Sequence, residues 1–210
     1  MIKDCRESYW ISTASFVIKK LLVNFITTET KILTIYYEGN KEFNEEALNQ
    51  IHECTSIGNK KTQAQDFSFT LQKIVKIALK ALSPGIKDPN TVIHCLKIIG
   101  VLLRDLSNIE KGYIILKEKN EYGYIISEAY SFEVILFDAY NQIMFYGKSD
   151  VSIVIAGLKS LRFIRDKSSR DNIAIIDNYA KHLFEKQADK DFSKLEYSKI
   201  QNEYNDLINY

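Results

Sequence analysis

The chain has 210 residues, 46% of them hydrophobic and 26% charged, with a formal net charge of +1. This balance excludes a disordered chain and supplies a core for one domain, or for one domain with a small appendage. The near-neutral charge lacks the basic excess that drives counterion release, so no nucleic-acid partner is expected.

Taken from the N-terminus, Met1 to Ser8 carries mixed charges and no apolar run follows it, so no signal peptide is expected. Ile11 to Ile26 is too short and too polar for a bilayer span, since Lys19 and Lys20 interrupt it. Ser12 to Phe25 reads as a helix, with Phe16, Lys20 and Val23 on one side and Val17, Leu21 and Leu22 on the next. Thr30 to Tyr37 alternates and is rich in β-branched and aromatic residues, which predicts a strand. A turn at Glu38-Gly39-Asn40 precedes a helix over Phe43 to Ile57, capped by Asn44 and stopped by Gly58.

Asp66 to Leu82 has the strongest helical periodicity. Phe67, Leu71, Ile74, Val75, Ala78 and Leu82 fall on one stripe, with Gln72, Lys73, Lys76 and Lys80 opposite. Pro84 ends this helix, because it disfavours helical backbone at the residue before it. Asp88 is placed to cap the next helix and Pro89 to stand at its first position, where a missing N–H is harmless. Val92, Leu96, Ile99, Leu103 and Leu106 form its apolar stripe. A hairpin is expected from Gly112 to about residue 127, around Asn120 and Gly123. Helices follow over Ser131 to Tyr146, Asp150 to Arg165 and Ser169 to Lys186. A last one lies in the tail, where Phe192, Leu195, Ile200, Tyr204 and Leu207 are the apolar positions, either exposed or docked late.

These elements predict a mainly α fold with minor β (α+β): a helical domain with a small N-terminal β element and one mid-chain hairpin. The expected division is an entry segment over 1–60, a helical core over 61–190 and a helical tail over 191–210. Cys5, Cys54 and Cys95 are odd in number and far apart, which is the usage of a reducing compartment. No cofactor and no metal are expected, because His52, His94 and His182 lack neighbours at ligand spacing. Each is better read as solvated or capping.

The informative block is Ile57 to Thr91. Gly58, Lys61-Thr62, Gln65-Asp66, Ile77-Ala78-Leu79, Ala81-Leu82-Ser83-Pro84, Asp88-Pro89 and Thr91 stand in it without a gap. In this pattern the chain resembles the predicted bacterial membrane proteins of domain of unknown function 2254. The resemblance implies a soluble domain that normally follows several membrane-spanning helices, with membrane association only through spans absent from this chain. It also implies a place at the cytoplasmic face of the inner membrane, and no assigned activity. The chain departs from the family pattern at Gln72, Lys76 and Lys87, where the family has Arg, Asp and Asn.

The polar motif residues admit two readings. Lys61, Thr62, Gln65 and Asp66 before the long helix, with Ser83, Asp88 and Thr91 at the turn, would make a ligand pocket if they converge. The same residue types also serve as caps, and Asp88 would already occupy the helix end an anion needs. The capping reading is favoured. Nucleophile motifs and phosphate-cradling loops are missing, so the leaning is away from an enzyme. The leading expectation is a non-enzymatic interaction or regulatory domain that self-associates or meets a protein partner through helix faces. The Tyr-rich tail from Phe192 to Tyr210 is its candidate surface. The alternative is a small-ligand sensor or enzyme with its pocket at Ser83 to Thr91.

Overall fold

Apolar side chains recur at helical spacing through most of the chain, and Pro and Gly seldom interrupt them. A computed structural model describes residues 14–18, 29, 33–37, 49, 67–109, 113–117, 124–128, 131–187 and 192–209. The fold is mainly helical, with six helices among these residues: α1 Phe67–Ala81, α2 Pro89–Leu106, α3 Phe132–Gly147, α4 Val151–Arg165, α5 Arg170–Glu185 and α6 Lys194–Ile208. The helix expected over Phe43 to Ile57 lies outside the described residues except for Asn49, which is helical and exposed.

Contacts divide the chain into two compact units, one of Met1–Phe67 with Gly112–Ala129, the other of Ser68–Lys111 with Tyr130–Tyr210. The first unit holds four five-residue strands, β1 Ala14–Ile18, β2 Leu33–Tyr37, β3 Tyr113–Lys117 and β4 Tyr124–Glu128. Their order is β2-β1-β4-β3. The β1–β2 and β3–β4 pairs are antiparallel, and β1 runs parallel to β4. The expected helix over Ser12 to Phe25 is therefore corrected at Ala14–Ile18. A short apolar run has no decisive period, and the aromatic and β-branched trio Phe16, Val17 and Ile18 suits a strand paired on both edges. In the domain division expected from sequence the hairpin went with the helices; here its strands pair with the N-terminal ones.

In the second unit α4 is the centre. It packs against α2, α3, α5 and α6, and Ile153, Val154, Gly157, Leu158, Ser160, Leu161 and Ile164 are buried along it. Asp150 caps it, its carboxylate accepting from Ser152 N at 2.9 Å and Ile153 N at 3.4 Å. Helices α2 and α4 approach closely at Gly100. A Cβ on Gly100 would stand 2.5 Å from Ser160 Oγ, so only glycine fits without displacement. Ser160 Oγ donates to Leu96 O at 2.7 Å and lies 2.5 Å from the Tyr140 hydroxyl. The serine hydrogen is committed to Leu96, so Tyr140 is the donor in the second bond. One hydroxyl thus ties α2, α3 and α4 together, and burial pushes the ionisation of the enclosed Tyr140 upward.

Asn172 fixes the start of α5. Fully buried, its Nδ2 donates to Ser107 O at 2.8 Å and Ile109 O at 2.9 Å, where the chain leaves α2. Arg165 and Asp177 form a two-pronged ion pair at 2.7 and 3.2 Å between α4 and α5. The tail helix α6 opens with a capping box, in which Ser193 N donates to Glu196 Oε2 at 2.8 Å and Glu196 N to Ser193 Oγ at 3.3 Å. The Ser193 hydroxyl first, donating to Glu196 Oε2 at 2.8 Å, and then the Ser193 N–H hold the Glu196 carboxyl below its usual pKa. Ile200 and Leu207 are fully buried, and Tyr204 stacks on Phe184 at 4.4 Å. Of the two readings left open for the tail, α6 is docked.

Candidate functional site

The polar motif residues that are described and were expected at a site, Ser83, Asp88 and Thr91, sit at the corner between α1 and α2. Helix α1 ends because Pro84 cannot continue it, and Ser83 turns back on it, its Oγ donating to Lys80 O at 2.7 Å. Ile86 N and Lys87 N both donate to Ser83 O, at 3.0 and 3.1 Å, and Asp88 N donates to Ala81 O at 2.9 Å. This wrap requires a left-handed residue, and Lys87 supplies it with φ 47°.

Asp88 then caps α2. One carboxylate oxygen accepts from Thr91 N at 3.1 Å and the other from Thr91 Oγ1 at 2.6 Å, with Pro89 at the first helical turn. The Thr91 hydroxyl first, then the Thr91 N–H, hold the Asp88 carboxyl below its usual pKa. Ser83, Asp88 and Thr91 therefore spend their polar atoms on the corner itself. The donors an anion would need at this helix end already face the Asp88 carboxylate. Lys61, Thr62, Gln65 and Asp66 lie outside the described residues.

A capping role makes a testable claim. Asp88→Ala is expected to lower the melting temperature by roughly 3 °C at pH 7, since a lost cap removes one satisfied helix donor. A depressed carboxyl pKa stabilises the fold above the unfolded-state value, and the gain is lost as pH falls through the folded value. The gap between wild type and variant should therefore close in acid, below about pH 4. A thermal melt series across pH checks it; a gap that persists unchanged in acid would exclude the ionised cap.

Beside the corner, α1 and α2 frame a groove of about 390 Å³ lined by Ile74, Ile77, Asn90, Thr91, His94, Cys95 and Ile98. Thr91 is the one expected site residue on its wall. The rest were not singled out from sequence as site residues. Their signal was present, because residues 91, 94, 95 and 98 recur at i, i+3, i+4 and i+7 beside the core stripe of α2. Ile74 belonged to the core stripe and is only half-buried. Cys95 is buried, and desolvation raises its pKa, so its thiol is held protonated rather than activated. His94 and His182 are exposed, and no group of three metal-ligating side chains occurs among the described residues. The groove offers apolar contact with a thin polar rim and no acid–base pair.

No curated protein and no solved structure matches the chain. No helix among the described residues is long and apolar enough to cross a membrane. The family described as predicted membrane protein (DUF2254) matches residues 14–162, a span that holds the corner, the groove and all four strands. The chain belongs to that family, whose function is unknown.

Proposed function

We propose that this chain is a non-enzymatic interaction domain, α+β in architecture with a small sheet in addition to its helical unit, which self-associates through the outer face of α3. The observation that carries this is a helix apolar on both sides. Phe132, Ile135, Leu136, Ala139, Tyr140, Ile143 and Met144 face the core. On the opposite side Val134 is 56% exposed, Phe137 48% and Phe145 53%. They recur at i, i+3 and i+11, a stripe down one face, and Tyr146 leans on Phe145 with ring centroids 5.1 Å apart. A helix apolar all round is normally buried on all sides, so an outer face of this kind marks a contact surface.

The tail offers less, since α6 turns its apolar side inward. At the corner, the polar atoms of Ser83, Asp88 and Thr91 are already engaged, which favours association over a ligand pocket there. Cysteine usage and the family description favour a setting on the cytoplasmic face of a membrane. The aromatic stripe is smaller than the roughly 800 Å² per partner of a stable complex, so the dimer is a weak, concentration-dependent one. In sedimentation velocity the average mass should climb above 24.3 kDa with concentration. Phe145→Asp should hold it there. A wild-type chain that stays at the monomer mass throughout the series ends this reading.

A further inference from the structure

We infer that the outer face of the α1–α2 pair is a peripheral docking surface for an anionic lipid bilayer. Charge is unevenly spread in this chain. Over residues 67–109 the cations are Lys73, Lys76, Lys80, Lys87, Lys97 and Arg104, and the only carboxylates are Asp88 and Asp105. The helix pair therefore carries a net +4, while the whole chain carries +1. Asp88 is engaged by Thr91, and Arg104 is drawn off the face by Asp166 and the Phe163 ring. None of the five lysines forms an ion pair with a described residue.

The lysines stand beside protruding apolar side chains. On α1, Lys73, Ile77 and Lys80 recur at i, i+4 and i+7 and so share one face, with the Lys73 ammonium resting 4.6 Å from the centroid of the Phe69 ring. On α2, Ile98 and Val101 share a face with His94, next to Lys97. Ile77 and Ile98 both line the groove, which joins the two faces into one surface. Ile86 and Lys87 extend it at the corner. Ile77 is 54% exposed and Val101 57%, so these side chains project outward rather than lining a closed cleft. Projecting apolar groups edged by lysines suit a fluid acyl layer under anionic headgroups, where lysine stems reach up to the phosphates. A helical protein partner would instead need a groove enclosed enough to seat its apolar face.

The test is co-sedimentation of the full chain with phosphatidylcholine vesicles, and with vesicles that also contain phosphatidylserine. Binding is expected only to the second kind. It should fall steeply between roughly 0.1 M and 1 M salt, as the screening length drops from about 10 Å to about 3 Å. The triple variant Lys73→Gln, Lys80→Gln, Lys97→Gln should bind about 100-fold more weakly, at about fivefold per lysine. Ile77→Asn with Val101→Asn should also weaken binding while leaving the melting temperature near wild type, because both side chains are more than half exposed. No binding to either vesicle, equal binding to both, or an unaffected lysine variant would overturn the inference. So would capture of a poly-glutamate peptide without vesicle binding, which would assign the face to an acidic protein segment. Phe145→Asp, placed on α3, should leave vesicle binding intact, so the outcome is separable from that of self-association.

Discussion

Gly100→Ala is expected to lower the unfolding free energy by about 2 kcal/mol, the range of an overpacked core site. The sign is the informative part. Glycine to alanine inside a helix ordinarily stabilises by about 1 kcal/mol, because alanine loses less backbone entropy. Here the added methyl would sit 2.5 Å from Ser160 Oγ. That oxygen has little room to retreat, being bonded to Leu96 O and to the buried Tyr140 hydroxyl. Moving it would break a bond and leave a phenol without a partner in the core, at about 1–3 kcal/mol. The triple variant Gly100→Ala, Ser160→Ala, Tyr140→Phe removes the obstructing oxygen and the stranded hydroxyl together. It should return to within about 1 kcal/mol of wild type, since replacing both partners by apolar groups of similar shape is nearly neutral. Chemical denaturation of the three proteins measures this, and a Gly100→Ala chain more stable than wild type would mean that α2 and α4 do not meet this closely.

The Gly100 contact also shows where reading the sequence stops. The stripe Val92, Leu96, Ile99, Leu103 and Leu106 was legible because burial repeats with the helix period, and all of it but Leu106 is buried. The corner was legible for a different reason: Asp88 and Pro89 have strong positional meaning at a helix start. What pairs with what was not legible. Ser160 and Gly100 are 60 positions apart in the sequence, and neither is marked by its neighbours as a point of helix contact. The segment Ala14–Ile18 was misread because five apolar or small residues fit either period, and only its pairing with β2 and β4 decides. Lys87 is a further case. Its backbone is left-handed, a region that Asn tolerates better than Lys. The groove went unnoticed because it is bounded by residues from two helices, each of which reads alone as an ordinary amphipathic face.

Truncating the buried contacts of α6 is expected to have the largest effect on this fold. Ile200 and Leu207 are both fully buried, although the tail is polar by composition. Either one changed to alanine should lose about 3 kcal/mol, from lost transfer energy and the cavity left behind. The double variant should lose about 6 kcal/mol if the sites add, which is comparable to the entire stability of an ordinary domain. Leu195→Ala is the control: at 66% exposed, it should change stability by no more than about 0.5 kcal/mol. The reason for the asymmetry is burial: Ile200 and Leu207 are enclosed in a helix that packs on both α4 and α5, and Leu195 is not enclosed. Arg162 and Lys159 of α4 reach Glu203 of α6 at 3.2 and 3.8 Å, so the docked face is held by charge as well as by apolar burial. Urea denaturation of the single and double variants gives the result, and an Ile200→Ala chain as stable as wild type would mean that α6 is not docked. The same physics decides how association should be probed. A chain cut before Ser193 would expose the α4 surface and would change mass by unfolding or aggregating, whatever surface the native protein uses. Surface variants such as Phe145→Asp leave the core alone, and a mass change in them reports on the interface itself.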